Sequence, residues 1–560
     1  MTRALFVLAA LLALATACSG NGSSDDSDGD GGTGGNTDGD TDADTDADAD
    51  ADTDTGYDCA AEVCFTIDPG ANVHPISRYI YGTNQPDWAG RSAHLTLGRL
   101  GGNRWTAYNW ETNASNAGAD WNYSNDDYLG GGDVAGEAVR SKVKAAFDAG
   151  AAAIVTVPIQ GLVSADKDGP VDVSSPPDMA RFEISAPVKG SAFSLTPDTG
   201  DGHVYEDEFA SWLSHTFPGA ETDPVNTLFF ALDNEPDLWM STHVEVHPDP
   251  ATYEELVQDN TDYADAIKSV LPGARVFGFV SYGWSGYVNL QNDAEYTAHG
   301  DFLDYYLDAM SAAGTAAGHR LIDVLDLHWY PEAQGDGIRI IGDETTAGVV
   351  EARVQAPRSL WDDTYTEESW ITQWSTMGPI RLIPRMKEKI AAHYTGTELA
   401  FTEYWYGAGG HISGALAEAD ALGIFGREGV FEASVWEMGS DLSFLYAAFR
   451  MYLDYDGAGG AFGDTSIRAI TNDIESTSVY ASVDEGEADR MVIVAINKSG
   501  APITAGVHVD HAAAFGHARV WQLTSSQAGP VAQPDATIPG ANSFEVTLPA
   551  QSVVTLELAP

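Results

Sequence analysis

Between residues 75 and 460, short apolar runs recur between stretches with helical spacing. The runs are Tyr79–Thr83, Leu95–Leu100, Ala152–Pro158, Thr227–Leu232, Arg275–Val280, Val324–His328, Leu399–Thr402 and Val430–Val435. Most are nearly continuous in apolar residues, as expected of strands covered on both faces. Between them, VRSKVKAAFDAG, DFLDYYLDAM and RLIPRMKEKIAAHY repeat apolar residues every three or four positions, the spacing of amphipathic helices. Alternating strand and helix predicts an α/β chain with a parallel sheet, and eight such units predict a closed (β/α)8 TIM barrel enlarged by insertions. An open doubly wound sheet is the alternative, but no G-x-G-x-x-G or G-x-x-x-x-G-K-[ST] motif supports it.

After Gly463 the pattern shortens to alternation. SVYASVDE, RMVIVAINK, GVHVDH, ARVWQL, SFEVTL and SVVTLELA read as antiparallel strands with polar turns. Residues 461–560 therefore form an expected C-terminal β-sandwich domain of about 100 residues. The run VCFTID (Val63–Asp68), within 59–74, is expected to join it. A supporting role for this sandwich is preferred to glycan binding.

The first residues carry an address. Met1–Cys18 holds one Arg, a short apolar run and small residues, a secretory signal too short to span a bilayer. Its end, Leu14-Ala15-Thr16-Ala17-Cys18, resembles a bacterial lipobox, so Cys18 is the expected lipidation site. Residues 19–58 are Gly- and Asp-rich with no large apolar side chain before Tyr57. Nothing there offsets the entropy of ordering, so a solvated, charge-extended linker is expected. Cys59 and Cys64 are five apart, and an exported chain makes a local disulfide between them the natural expectation. The chain is thus expected to be exported and lipid-anchored to the cell envelope, or secreted.

Charge narrows the partners. Against 27 Lys and Arg stand 84 Asp and Glu, a net charge of −57 over 560 residues. Nucleic acid and anionic membrane surfaces would be repelled, leaving contact with a membrane only through a lipid anchor. Three cysteines are too few for a disulfide scaffold or a four-cysteine zinc site.

In a TIM barrel, chemistry gathers where strands end. The fourth run ends in Asn234-Glu235-Pro236, placing a candidate carboxylic acid at the barrel mouth. The seventh ends in Glu403, followed by Tyr404, Trp405 and Tyr406, whose rings suit a sugar site. Arg99 lies inside the apolar second run and so requires a buried anion. Asn103 follows two glycines that permit close backbone approach. The sixth run contributes His328, read as a core histidine in preference to an acid or base, and Tyr330, a donor to a carboxylate. The eighth contributes Trp436 as a floor for a sugar ring. Trp110, Trp239, Trp284, Trp405 and Trp436 are candidates for subsites. Two facing carboxylates are the equipment for glycosidic cleavage, one protonated and one ionised. Arg99 would keep Glu403 ionised, while the Glu403 charge would keep Glu235 protonated. Glu437, Glu332 and Glu111 compete with Glu403 on residue type alone; strand-end placement and aromatic neighbours favour Glu403.

The stretches GRLGGNRWTAYNWETNASNAGADW, DNEPDLW, IRLIPRMKEKI, FTEYWYG and YAAFRMYLDYDG resemble glycoside hydrolase family 44 over residues 62–560. That resemblance implies a (β/α)8 barrel with a β-sandwich and retaining endo-β-1,4-glucanase activity, in several members on xyloglucan. It implies Glu235 as acid/base and Glu403 as nucleophile, which places Glu403 above its competitors. RLGGN also resembles family 51 arabinofuranosidases, implying that Arg99 and Asn103 support the nucleophile and the sugar. Family 44 members can hold calcium, and Gly118–Asp127 with Glu111 are candidate ligands for a structural Ca²⁺; no cofactor is required for the chemistry. The expected partner is plant cell-wall polysaccharide, β-1,4-glucan or xyloglucan, bound by a monomer. Alternatives are an exo-acting arabinofuranosidase-type enzyme and a non-catalytic glycan-binding lipoprotein.

Overall fold

The structure is a computed structural model that describes residues 59–559 apart from Asn292. The expected signal and lipidation site at 1–18 and the expected acidic linker at 19–58 lie outside the described residues.

Strand β1 (Val63–Asp68) precedes eight parallel strands that close into a barrel. These are β2 (Gly82–Thr83), β3 (Leu97–Leu100), β4 (Ala152–Val157), β5 (Leu228–Leu232), β6 (Val276–Ser281), β7 (Val324–Trp329), β8 (Glu398–Tyr404) and β9 (Glu432–Val435). They neighbour one another in chain order, and β9 pairs with β2 to complete the ring. The eight apolar runs are these eight strands. Helices such as α1 (Glu137–Asp148), α2 (Tyr253–Val270), α3 (Phe302–Ala317), α4 (Leu382–His393), α5 (Ile412–Arg427) and α6 (Ser443–Leu453) cover the outer surface.

The barrel interior is layered by the two-residue period of its strands. At the bottom, Tyr79, Phe229, Phe277 and Phe431 form a plug of tilted and edge-on rings, joined by Leu97, Ile154, Val324 and Ala400. Two positions further along, the same strand faces turn polar: Leu97 gives way to Arg99 and Val324 to Asp326, then His328. All three polar side chains are buried. Strand β8 departs from this alternation. Its ladder with β7 runs Leu327↔Phe401 and then His328↔Glu403, skipping Thr402. The extra residue is a bulge. It lets Thr402 bond inward to Asp326 (2.7 Å) and still turns Glu403 inward, where strict alternation would send it toward the helices.

After the barrel, strands β10 (Thr465–Thr471) through β17 (Ser552–Ala559) form one continuous sheet with β1, while short strands in the barrel's loops make small sheets of their own. Its two wings close over a core that includes Val63, Phe65, Ile67, Ile493, Val507, Phe544 and Leu556. β1 lies inside that sheet, antiparallel to β10 and parallel to the strand Ile503–Val509. A Cys59–Cys64 disulfide closes the turn before it, with 6.1 Å between Cα atoms.

The sheet docks on α5 and α6. Tyr480 donates to Asp420 (2.6 Å), and Lys498 pairs with the same carboxylate at 2.8 Å. The Lys498 and Asp420 side chains are 2% and 1% exposed. An ion pair so desolvated is costly to break from one side, on the order of 3–5 kcal/mol. Gly423 lets helix and sheet close, because a Cβ there would stand 2.2 Å from the Tyr480 ring. Among the described residues, no helix is long and apolar enough to cross a membrane.

Candidate active site

The site grows upward from Arg99. Its guanidinium, 1% exposed on β3, donates to Glu403 Oε1 at 2.7 Å, to Asn234 Oδ1 at 2.8 Å and to Asn84 Oδ1 at 3.1 Å. Burial works against its charge, but the carboxylates of Glu403, Asp326 and Glu432 outweigh that cost and hold its pKa above the usual value. Below it, burial drives the Asp326 carboxyl up to about 7 and Glu432 well above the carboxylate range. Of the three, Glu403 is the one that contacts the guanidinium directly, at 2.7 Å. Tyr330 donates to the other oxygen of Glu403 at 2.7 Å. Each carboxylate oxygen thus has its own donor, which orients the group and leaves it ionised.

The opposing acid is set by backbone geometry. Asp233 and Glu235 both adopt left-handed conformations, with φ of +67° and +46°. Non-glycine residues rarely do so, and such strain gathers at functional sites. Here it is held from both sides. The Asp233 carboxylate accepts the backbone N–H groups of Ile159 (2.7 Å) and Gln160 (3.2 Å). The Glu235 N–H donates to the Val280 carbonyl on β6 (2.9 Å). Pro236 then opens a short 3₁₀ turn that turns the chain away from the mouth.

His328 sits between the two acids. Nδ1 lies 2.9 Å from Glu235 Oε1 and 3.5 Å from Glu403 Oε2. The ring is fully buried, and burial pulls its pKa down to about 3, so it is neutral. Nε2 has no partner among the described residues, which assigns the proton to Nδ1 as a donor to Glu235. Burial, the largest effect, lifts the Glu235 carboxyl to about 7; Arg99 opposes the shift and Asp120 adds to it. Burial, not the Glu403 charge, is thus what keeps the acid protonated. Donor atoms of Glu235, His328 and Glu403 all lie within 4.8 Å of one another.

The other candidates divide. Asn234 belongs to the site's frame, its Oδ1 taking both Arg99 and the Gly102 N–H (3.1 Å). Trp436 lies over Gly102, whose φ of +89° and whose missing Cβ, which would stand 2.6 Å from the ring, both require glycine. Asn103 turns away from Glu403 and donates to Asp120 (3.0 Å). Trp110, Trp239 and Trp405 offer no face to a sugar. All three are at most 1% exposed: Trp110 stacks on Phe209, Trp239 packs near His247, and Trp405 donates to the Ile341 carbonyl. Aromatic residues beside a strand-end motif were read as a sugar platform, whereas these fill the space between strands and helices. Trp284 is also buried, its Nε1 bonded to Ser375 (2.7 Å).

The rival carboxylates are occupied in other ways. Glu437 accepts from Thr83 (2.5 Å) and Tyr446, and Glu332 pairs with Arg339 (3.0 Å). The loop Gly118–Asp127 does not assemble with Glu111 as a cation cage. Asp126 pairs with Arg104 (2.6 Å), Asp120 takes Asn103, and the charges acting on Glu111 come from Glu208, Glu183, Asp201 and Lys189. Sequence reading missed Asn84, which braces Arg99 and the Thr402 carbonyl (2.8 Å), and the exposed rim aromatics Trp121, Tyr128 and Trp374. For Asn84 the signal was a polar residue directly after the first run, in GTN. For Trp374 it was a tryptophan in a long polar loop after β7.

Comparison with known proteins agrees with this geometry. The pattern of glycoside hydrolase family 44 matches residues 114–333. Endoglucanase A of Paenibacillus lautus is 40% identical over 513 residues, covering 89% of this chain and 73% of its own. Beta-mannanase/endoglucanase A of Caldicellulosiruptor saccharolyticus is 42% identical over 460 residues, 78% of this chain and 34% of that larger protein. The solved structure of a family 44 xyloglucanase from Paenibacillus polymyxa, with xyloglucan, superposes with a TM-score of 0.85 at 38% identity, covering 89% of this chain and 99% of that one. Fold, length and identity converge, and the chain belongs to glycoside hydrolase family 44.

Proposed function

We propose that this protein is a retaining, endo-acting β-1,4-glucan hydrolase that acts on cellulose-type glucan and xyloglucan. The observation that carries the reading is the pair Glu235 and Glu403, with carboxylate oxygens within 4.8 Å across one barrel mouth. Retaining pairs stand about 5–5.5 Å apart, and inverting pairs about 6.5–9.5 Å apart to admit a water. Glu403, held ionised by Arg99 and Tyr330, attacks the anomeric carbon. Glu235, protonated and oriented by His328, delivers its proton to the departing oxygen. The glycosyl ester on Glu403 is then hydrolysed by a water that the Glu235 carboxylate deprotonates, restoring both groups.

Endo action finds support in the rim. Trp121 and Tyr128 follow β3 and are 60% and 75% exposed; Trp374 follows β7 and is 77% exposed. β3 and β7 are four strands apart in a ring of eight, so the loops that carry these aromatics leave the mouth on opposite sides. A chain crossing the mouth would meet stacking faces on both sides of the cleavage point, an arrangement of little use to an exo-acting enzyme. The relatives named for endoglucanase and xyloglucanase activity agree with a glucan backbone.

Two further proposals concern setting. Glu111 is buried with Oε2 unpartnered, and burial, with the Glu208, Glu183 and Asp201 charges outweighing the opposing Lys189 cation, raises it to about 8. A structural divalent cation on Glu111 would relieve that crowding without entering the reaction. The lipobox-like Cys18 is proposed as the membrane anchor, and the Cys59–Cys64 disulfide supports maturation in an oxidising compartment.

Glu403→Gln removes nearly all turnover on xyloglucan and on activated aryl glycosides. Glu235→Gln slows polysaccharide hydrolysis about 10²–10⁴-fold but spares good leaving groups, and wild-type turnover falls as pH rises through about 7, where Glu235 loses its proton; retained polysaccharide turnover in either variant refutes its role. On a polysaccharide panel, early products are long oligosaccharides with the β-anomer formed first, and Trp374→Ala raises KM more than it lowers kcat; release of single sugars from chain ends would contradict endo action. Chelation lowers the melting temperature of the wild type but not of Glu111→Gln, measured by calorimetry with calcium add-back. Cys18→Ala moves the enzyme from the detergent to the aqueous phase in a phase-partition assay.

A further inference from the structure

Asp326 takes no part in the double displacement. It is fully buried on β7, two residues below His328 on the inward face, too deep to meet a sugar. Its contacts go instead to the neighbour of the nucleophile. Asp326 Oδ1 accepts the Thr402 hydroxyl at 2.7 Å and the Thr402 backbone N–H at 3.3 Å. Both side chains are sealed from solvent.

Thr402 is the extra residue of the β8 bulge. The register with β7 passes over it, and so does the register with β9, which runs Phe401↔Ala433 and resumes at Tyr404↔Val435. A buried residue that the pairing passes over needs other partners for its N–H and C=O. Side chains supply them. Asp326 takes the N–H, and Asn84 Nδ2 donates to the carbonyl at 2.8 Å. Asn84 closes a circuit, because its Oδ1 accepts Arg99 at 3.1 Å and Arg99 donates to Glu403 Oε1 at 2.7 Å. The backbone of Thr402 is thus held by Asp326 and Asn84, and the tip of Glu403 by Arg99 and Tyr330. These two grips do different things. Donors at the tip orient a carboxylate that is already inside the mouth. They do not set the face of β8 from which Glu403 leaves. In a regular strand Thr402 and Glu403 would point to opposite faces. Here both point inward, to Asp326 and to Arg99, and that holds only while the bulge keeps its place.

We propose that Asp326 and Thr402 are positioning residues for the nucleophile: Asp326, by holding the hydroxyl and the N–H of Thr402, keeps the β8 bulge in the register that aims Glu403 at the anomeric carbon. The proposal rests on Glu403 as nucleophile. The clamp does not depend on a charge on Asp326. Both bonds end on Oδ1, and Oδ2 has no partner among the described residues, so an oxygen acceptor at Oδ1 is all that it requires. Strand β7 then serves both acids from one row of inward side chains: Asp326 through the bulge, and His328 directly on Glu235 at 2.9 Å.

The experiment compares Thr402→Val, which keeps the shape and removes the hydroxyl, with Thr402→Ser, which keeps the hydroxyl. Each is assayed for kcat and KM on xyloglucan. Each is also assayed for the rate at which an activated, fluorinated cello-oligosaccharide glycoside, which traps the glycosyl ester, labels Glu403, followed by mass spectrometry. Thr402→Val is expected to lower kcat and the labelling rate about 10–100-fold, the cost of misplacing a reacting group by up to about 1 Å, with KM unchanged within about twofold. Thr402→Ser is expected to stay close to wild type in all three. Asp326→Asn, which keeps an oxygen acceptor, labels faster than Asp326→Ala. The double variant Thr402→Val with Asp326→Ala is no slower than its slower parent, because both changes remove one clamp. Wild-type labelling in folded Thr402→Val overturns the proposal, as do a Thr402→Ser enzyme as slow as Thr402→Val and losses that add in the double variant. A residue needed only for stability would lower the melting temperature and leave labelling of the folded enzyme unchanged. If Thr402→Val does not fold, equal labelling rates in Asp326→Asn and Asp326→Ala overturn the proposal. A label found on a residue other than Glu403 in the wild type overturns the nucleophile assignment itself.

Discussion

A single guanidinium, sealed inside a barrel, dictates where every other charged group in this site must be. Arg99 cannot be hydrated, so its counter-charge and acceptors must come from the protein, and Nε is left without a partner among the described residues. Glu403 supplies the counter-charge, while Asn234 and Asn84 supply neutral acceptors. Each of these partners is then drawn into one geometry: Glu403 by the bulge in β8, Asn234 by the left-handed turn that also carries Glu235, and Asn84 by the end of β2. Glu235 and Glu403 sit close together because one buried cation sits beneath both strand ends. Replacing it with an apolar residue would leave Glu403 facing Asp326 and Glu432 with no positive charge among them.

The two facing carboxylates, Glu235 and Glu403, differ in neighbours more than in burial. Both are largely enclosed, but Glu403 has a cation on one oxygen and a phenol on the other, whereas Glu235 has only a neutral imidazole. Enclosure without a compensating charge favours the proton; enclosure with one favours the anion. Two identical side chains thereby take opposite parts, and the division is written in strand-end residues contributed by β3, β5, β7 and β8.

How much of this was legible depends on whether the signal was local. The eight strands were, because a barrel strand covered on both faces is an apolar run whatever surrounds it. Glu235 and Glu403 were, because strand ends in such a barrel face the mouth, although simple alternation would have pointed Glu403 outward; the bulge at Thr402 is set by pairing with β7 and leaves no mark in FTEY itself. The aromatic residues were misread for a related reason. Trp110, Trp239 and Trp405 look no different in sequence from Trp374, yet the first three lie where strands meet helices and the last lies on a loop that nothing covers. Which face of a tryptophan is free is a property of tertiary packing. Asn103 was assigned to the sugar because two glycines precede it, but those glycines serve the approach of Trp436 and the N–H given to Asn234.

The placement of β1 has a consequence for how the molecule comes into being. Val63–Asp68 is made first and bonds to strands 465–471 and 503–509, made roughly 400 residues later. During synthesis this strand has no partner, so its apolar side must wait, exposed, until the last fifth of the chain emerges. Contacts of such long separation slow folding and lengthen exposure to aggregation. They also make the catalytic barrel and the terminal sheet inseparable: a chain cut after residue 460 would carry a strand with no sheet to enter, and with it an orphaned Asp420 on the surface where Lys498 and Tyr480 belong.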